Sequence, residues 1–279
     1  MIVFPHAKLN LGLNIVAERP DGYHDIETVF VPIGYADTLE VYLPERQVEG
    51  GLVWDEVGGS LGVPAEKNLC VRALRALRGV ADVPTVGMVL RKSIPDGAGL
   101  GGGSSDAAFV LRALNDLLRL GLSDDALRCV AGGLGADCPF FIGGRPVFAS
   151  GVGDVFSPVD LSSLRGMGVV VVVPHGAVST AEAYGAIGCR VPDVRLADAV
   201  TRPVGEWREV VRNDFEPYVS ARLPDVPRLK ERLYGAGALY AQMSGSGSAV
   251  FGLFRSVEAL PPRSVFPGVR GYWAGPVDV

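Results

Sequence analysis

The stretch that most constrains this chain is rich in glycine and covers residues 95–108, with the sequence PDGAGLGGGSSDAA. Five of its fourteen residues are glycine; an apolar, β-prone run at 86–94 precedes it and a helical run at 107–118 follows. Glycine allows positive φ angles and lets a ligand approach the backbone closely. The start of a helix adds unpaired N–H groups and the positive end of the helix dipole. The pattern therefore predicts a strand, a glycine loop and a helix that together bind phosphate.

Three interpretations of this loop compete. Gly97, Gly99 and Gly102 satisfy the Rossmann pattern G-x-G-x-x-G, but that match alone is weak. A second helical stretch at 123–133 follows where a Rossmann unit needs a strand. A Walker loop is disfavoured because no Gly-Lys-Ser/Thr follows the glycines. An ordinary turn with a helix cap needs one glycine at most, so phosphate binding is favoured over it.

Length and composition set wider bounds. The 279 residues can form one large domain or two smaller ones. The net charge of −5, with both signs scattered, argues against a general nucleic-acid surface or an anionic-membrane surface. The four cysteines show no Cys-x-x-Cys and no nearby histidine, so we expect no zinc site and reduced thiols in a cytoplasmic protein. We expect neither a signal peptide nor a membrane span.

The rest of the chain reads as a mixture of strands and helices. Strands are predicted at 2–4, 9–16, 26–33, 38–42, 86–94 and, as a buried strand, 169–173, and a strand with a turn is predicted at 147–156. Helices are predicted at 68–77, 105–118, 123–133, 179–187 and 226–234. A loop or hairpin is expected at 44–64, and a weakly patterned, flexible segment at 191–206. We expect a domain division near residue 155.

Several polar residues could carry chemistry, but each is ambiguous when taken alone. Lys8 and Asn10 share one face of an early strand, and such a face is usually solvated. Asp137, between Gly135 and Pro139, is as typical of a turn or helix cap as of a catalytic site. His24 follows a turn and would usually lie at the surface. Residues 244–248 form either a tight turn or a second backbone cradle.

Three separated segments together resemble the GHMP kinases: PDGAGLGGGSSDAA, the early AKLNLGLN and the late MSGSGSAVFG. Their order and spacing span most of the chain, which makes the resemblance specific. The longer segment AKLNLGLNIVAERPDGYHDIETVF and the segment GADCPFF resemble the branch that acts on 4-diphosphocytidyl-2-C-methyl-D-erythritol. His6 is a small departure, since other residues often precede the Ala-Lys pair, and it leaves Lys8 in place.

The resemblance implies an α+β fold with two lobes. Residues 1–155 would form a lobe similar to the second domain of ribosomal protein S5, and residues 156–279 a ferredoxin-like lobe. It implies ATP-dependent phosphorylation, with Mg²⁺, of the 2-hydroxyl of that small-molecule substrate in isoprenoid precursor synthesis. Nothing in the sequence suggests a nucleic-acid or membrane partner. The alternatives are another kinase of the superfamily, such as a mevalonate or homoserine kinase, and a non-catalytic regulator with the same fold.

The resemblance also implies roles for individual residues. Asp137 would accept the proton of the attacking hydroxyl, and Lys8 would keep Asp137 ionised and offset charge on the phosphoryl group. The residues implied for ATP are Asn68, Pro95, Gly97, Gly99, Leu100, Gly101, Gly102, Gly103, Ser104 and Ser105. Those implied for the acceptor substrate are Asn10, Tyr23, His24, Val152 and Tyr184. Ser104 or Ser105 is a candidate metal contact, and Asp106 is expected to stabilise the start of its helix.

Overall fold

The structure, a computed structural model, describes residues 1–58, 62, 64–189, 192–277 and 279. The chain forms two units, each built from several segments. The first unit comprises Met1–Ala7, Ala36–Ile94 and Gly101–Gly144, and the second comprises Lys8–Tyr35, Pro95–Leu100 and Arg145–Val279. The expected segments at 44–64 and 191–206 lie partly outside the described residues. The domain division near residue 155 remains a prediction.

The regular elements alternate along the chain as follows. The strands are β1 (Ile2–Val3), β2 (His6–Glu18), β3 (His24–Ala36), β4 (Thr38–Tyr42), β5 (Leu52–Val57), β6 (Val86–Arg91), β7 (Val147–Ser150), β8 (Val155–Ser157), β9 (Gly168–Val173), β10 (Tyr240–Met243), β11 (Val250–Phe254) and β12 (Gly271–Pro276). The helices are α1 (Leu69–Arg78), α2 (Gly102–Leu118), α3 (Asp124–Gly132), α4 (Cys138–Gly143), α5 (Thr180–Ala186), α6 (Leu196–Ala199), α7 (Trp207–Val210), α8 (Glu216–Arg222) and α9 (Asp225–Gly235).

The first unit pairs a four-stranded sheet, in the order β1-β4-β6-β5, with helices α1 to α4. Strands β5 and β6 are parallel, while β4 pairs antiparallel with both β1 and β6. Helix α2 packs against α1 and α4, and its residues Leu111 and Leu114 are fully buried. Strand β5 lies within the stretch for which we expected only a loop or hairpin.

The second unit contains two sheets, in which β3, β7 and β8 pair antiparallel and β10, β11, β9 and β12 do so as well. One has the order β2-β3-β7-β8 and the other β10-β11-β9-β12. All six residues of β9 are buried between β11 and β12, which confirms the buried strand predicted from its run of valines. Helix α9 packs against β10 and β11, with Leu233 fully buried. The mixture of helices and largely antiparallel sheets confirms the α+β class.

Helix starts follow the capping chemistry of the sequence. The side chains of Asn68, Ser123 and Ser179 accept hydrogen bonds from the first turns of α1, α3 and α5. Helix α2 begins at Gly102 rather than at Ser105, because Gly101 adopts the left-handed conformation that ends the loop. The low helix propensity of glycine concealed this earlier start. Within the described residues, no helix combines the length and apolar character needed to cross a bilayer.

Candidate active site

Three glycines give the loop its shape. Gly97, Gly99 and Gly101 have φ angles of 63°, 75° and 71°, which residues other than glycine rarely adopt. A Cβ at Gly99 would lie 2.1 Å from the carbonyl oxygen of Ser244, so the backbone there is tightly packed. A Cβ at Gly97 would meet no described atom within 4 Å. The loop is therefore fixed at Gly99 and leaves space beside Gly97 for a ligand.

Protein donors occupy three consecutive carbonyl groups of the loop. The N–H of Ala249 donates to Ala98 O at 3.0 Å, and the N–H of Lys8 donates to Leu100 O at 2.9 Å. Between them, the hydroxyl of Ser244 donates to Gly99 O at 2.9 Å. Carbonyl oxygens would repel a phosphate, so turning them toward protein donors suits a loop that binds an anion through N–H groups. The segment at 244–248 is thus an anchor for the glycine loop rather than a plain turn.

The start of α2 supplies further N–H groups. Gly101 precedes the helix, and no side chain caps it. The N–H groups of Gly102, Gly103 and Ser104 have no acceptor within the helix, and the positive end of the helix dipole lies there. The hydroxyl oxygen of Ser105 is buried and has no hydrogen-bond partner among the described residues. This combination of donors and one unsatisfied oxygen fits a phosphate chain with its cation.

Lys8 and Asn10 are buried side chains of β2, with 4% and 2% of their surface exposed. The prediction that Lys8 and Asn10 lie on a solvated face is therefore wrong, because β2 is covered on both sides. The Lys8 ammonium donates to Asn10 Oδ1 at 2.5 Å and lies 4.7 Å from the centre of the Phe30 ring. Asn10 Nδ2 donates to the hydroxyl of Thr28 at 2.9 Å. A buried ammonium is costly, so its presence on this strand points to function rather than stability.

Asp137 occupies the position just before α4, with φ −78° and ψ −20°. Its side chain does not cap that helix, so the helix-cap interpretation does not account for this aspartate. Burial raises the pKa of the adjacent Cys138 thiol to about 11, and the nearby Asp137 carboxylate raises it further. A hydrogen bond with Ser104 lowers this pKa but does not offset the effect of burial. Cys138 is therefore a neutral thiol near pH 7 and unsuited to act as a nucleophile.

Aromatic rings gather in the second unit. The rings of His24 and Tyr184 stack at 5.0 Å with an interplanar angle of 28°, and Tyr184 meets Phe215 edge-on at 4.8 Å. His24 is therefore not an isolated surface residue. Tyr23 is 64% exposed, and Val152 lies in the turn between β7 and β8. The structure thus brings the rings of His24 and Tyr184 into contact, and their role in binding a substrate remains a prediction.

Two further residues implied for ATP are largely occupied by structural contacts. Asn68 is buried, and its side-chain oxygen accepts a hydrogen bond from Cys70 N at 2.9 Å at the start of α1. Leu100 is buried, and its carbonyl accepts from Lys8. The direct contact of either residue with nucleotide remains a prediction.

The sequence did not single out a buried group of charges in the first unit, formed by Asp37, Lys92 and Asp106. The Lys92 ammonium lies 2.5 Å from Asp37 Oδ2 and 2.7 Å from Asp106 Oδ2. Burial raises the pKa of the Asp106 carboxyl, and the adjacent Lys92 ammonium opposes that shift. Asp106 lies beyond the first turn of α2, so the prediction that it stabilises the helix start is wrong. A lysine at the end of an apolar strand, just before the loop, is unusual, but it does not indicate its two partners.

The contrast between Gly99 and Gly97 generates a matched test. Gly99→Ala is expected to lower the free energy of unfolding by at least about 2 kcal/mol, because its Cβ would overlap a backbone oxygen. Gly97→Ala has a similar positive φ but open space around it, so only the conformational cost of about 1 kcal/mol is expected. Urea denaturation of both variants measures the difference. Equal losses would contradict the tight packing at Gly99.

Comparison with known proteins identifies the family of this chain. Family models described as GHMP kinases N terminal domain and GHMP kinases C terminal match residues 68–145 and 196–260. A 4-diphosphocytidyl-2-C-methyl-D-erythritol kinase of Parabacteroides distasonis is 48% identical over 266 residues, covering 95% of this chain and 96% of the relative. A protein of the same name from Porphyromonas gingivalis is 46% identical over 270 residues, with shares of 95% and 96%.

Solved structures of kinases resemble the fold of this chain. A crystal structure of a 4-(cytidine 5'-diphospho)-2C-methyl-D-erythritol kinase has a TM-score of 0.79 and 34% identity, covering 99% of this chain and 98% of that one. The homoserine kinase from Cytophaga hutchinsonii, with a TM-score of 0.65 and 18% identity over 98% and 94% of the two chains, shares the fold. With relatives of this identity and coverage, the chain belongs to the GHMP kinases, in the family of 4-diphosphocytidyl-2-C-methyl-D-erythritol kinases.

Proposed function

We propose that this chain transfers the γ-phosphoryl group of ATP to the 2-hydroxyl of 4-diphosphocytidyl-2-C-methyl-D-erythritol, in isoprenoid precursor synthesis. The observation that carries the proposal is the glycine loop, whose carbonyls at Ala98, Gly99 and Leu100 are bound by protein donors. Such a loop offers its N–H groups to a triphosphate. The kinase names of relatives that match nearly the whole chain support the reaction and the acceptor.

ATP would lie along residues 97–105. Phosphoryl transfer depends on positioning and charge stabilisation more than on covalent help, so a rigid loop is the main requirement. The unsatisfied hydroxyl of Ser105 fits Mg²⁺, a cation that prefers oxygen ligands and is often held mainly by phosphate oxygens. When bound, Mg²⁺ neutralises charge that develops on the phosphates. Ser104, which hydrogen-bonds Cys138, is the weaker candidate.

Lys8 and Asp137 are the proposed catalytic residues. Asp137 accepts the proton of the attacking hydroxyl as a general base. Lys8 offsets negative charge on the transferring phosphoryl group. The hydrogen bond from Lys8 to Asn10 and the adjacent Phe30 ring restrict the ammonium to few orientations, which supports a positioned rather than a mobile cation.

The cytidine end of the acceptor is proposed to bind at Tyr23, His24 and Tyr184, with Asn10 and Val152 on the same substrate. Aromatic rings stack on a base, and an imidazole can hydrogen-bond its edge. The stack of His24 on Tyr184 supports this assignment because it provides a flat aromatic surface in the second unit. Tyr23 is exposed and free to add a second ring face.

We further propose that the enzyme works in the cytoplasm. All four cysteines, Cys70, Cys129, Cys138 and Cys189, are free thiols. Exposed thiols such as Cys129 and Cys189 persist in a reducing compartment.

The proposed reaction is tested by incubating the purified protein with ATP and one acceptor alcohol at a time. We expect ADP release with 4-diphosphocytidyl-2-C-methyl-D-erythritol and at least about 100-fold less with mevalonate or homoserine, which lack the cytidine. ADP release with one of the other alcohols would favour another GHMP activity. Nucleotide binding without turnover of any acceptor would favour the non-catalytic regulator.

The role of Asp137 is tested by Asp137→Asn, which keeps the shape of the side chain but removes its basicity. We expect kcat to fall by about 10²–10⁴-fold, with the affinity for ATP nearly unchanged. Steady-state kinetics and direct nucleotide titration measure the two quantities. The control is Asp125→Asn, at an exposed aspartate in the first turn of α3. Full kcat in Asp137→Asn would remove this residue from the role of general base.

A further inference from the structure

The buried charges of the first unit form what we call the Lys92 cluster: Lys92, Asp37 and Asp106. Lys92 directly follows β6, Asp37 lies between β3 and β4, and Asp106 lies on α2. The two carboxylates share one ammonium, at 2.5 Å and 2.7 Å. Asp37 is fully buried and Asp106 is 3% exposed. Three elements that are separate in sequence therefore converge on one charge.

Asp37 holds the backbone that enters the glycine loop. Its second oxygen, Oδ1, accepts hydrogen bonds from the N–H of Ser93 at 2.5 Å and of Ile94 at 2.9 Å. Ile94 is the last residue before the loop begins at Pro95. A buried carboxylate that accepts two backbone N–H bonds fixes the direction in which the chain leaves the strand.

Lys92 and Asp106 hold the backbone that leaves the loop. Asp106 anchors α2 one turn after its start, through its bond to the Lys92 ammonium. A Cβ at Gly102, the first residue of α2, would lie 3.2 Å from Lys92 Nζ and 3.1 Å from Ile94 Cγ2. The ammonium thus lies directly beside the helix start, and glycine at position 102 is what allows it to approach. Both ends of the loop meet at Lys92.

The energetics indicate that the cluster is not there for stability. Removing three charged groups from water is expensive, and apolar residues of similar volume are commonly as good or better for folding. Asp106 Oδ1 is also buried and has no hydrogen-bond partner among the described residues, which is a further cost. These costs are explained if the cluster serves the ligand.

We propose that Lys92 is a positioning residue for ATP, which sets the separation between the two ends of the glycine loop so that its N–H groups match the triphosphate. The proposal rests on the proposed function, in that it takes residues 97–105 as the phosphate site. The ammonium acts through the backbone at Ile94 and Gly102 and need not touch the nucleotide. Loss of the Lys92 ammonium is expected to leave the binding of adenosine intact and to weaken the binding of the phosphates.

The test compares two probes, a non-hydrolysable ATP analogue and adenosine, which lacks phosphates. In Lys92→Met, which keeps the length of the side chain without its charge, we expect the dissociation constant for the analogue to rise at least about tenfold. The dissociation constant for adenosine is expected to change less than about twofold, since the loop serves the phosphates. Titration calorimetry measures both without any acceptor, so the result is independent of whether the acceptor has been identified correctly.

A matched control separates positioning from general destabilisation of the first unit. Arg78, at the end of α1, donates hydrogen bonds to the carbonyls of Gly50, Gly51, Val83 and Pro84. Arg78→Met removes a cation and several hydrogen bonds from the same unit, away from the loop. It is expected to lower Tm and leave the affinity for the analogue within twofold. Equal changes in affinity for the analogue in Lys92→Met and Arg78→Met would overturn the proposal.

Lys92→Met leaves two carboxylates without their cation and could prevent folding. Two more variants therefore test the proposal independently of that effect. The double variant Lys92→Met with Asp106→Asn removes one of those charges. Asp106→Asn alone keeps an oxygen acceptor for Lys92 and the Lys92–Asp37 pair, and it decides the question if the methionine variants do not fold. A loss of at least threefold in affinity for the analogue, with adenosine unchanged, supports positioning. Unchanged affinity for the analogue, or equal losses for both probes, contradicts it.

Discussion

Hydrogen bonds to the carbonyl groups of the glycine loop are the constraint on which the site depends. Glycine makes the loop possible, but glycine alone would leave it flexible and costly to order on binding. Donors from Lys8, Ser244 and Ala249 take up three consecutive carbonyls and convert a permissive backbone into a defined one. The same Lys8 that donates its N–H to the loop carries the buried ammonium proposed to act in catalysis. The fold therefore couples the shape of the loop to the position of a reactive side chain through one short stretch of β2.

Polar groups are buried in this chain where an enzyme needs fixed geometry. Asn10 links Lys8 to Thr28, and Asn213 donates to the carbonyls of Met243 and Gly245, on either side of the anchoring Ser244. Each buried polar group is costly unless its partners are present, so such networks specify one arrangement. The apolar layers around them, including the fully buried β9, supply the stability that this arrangement uses.

Much of the fold and part of the site could be predicted from the sequence. Periodicity and capping residues located α1, α3 and α5, and the valine run gave β9, because these signals are local. The burial of Lys8 and Asn10 could not be predicted from alternation, since it depends on what covers both faces of β2. Nor could the meeting of Asp37, Lys92 and Asp106, which are distant in sequence, be inferred from any local pattern. Glycine's low helix propensity also concealed the first turn of α2. Family resemblance supplied the roles that local chemistry left open.

The most direct test of the central claim is a crystal structure with a non-hydrolysable ATP analogue. We predict that the β- and γ-phosphate oxygens accept hydrogen bonds from N–H groups of residues 97–105, while the carbonyls of Ala98, Gly99 and Leu100 keep the protein donors they have now. Phosphates bound elsewhere, or a loop that turns those carbonyls toward the ligand, would contradict the account.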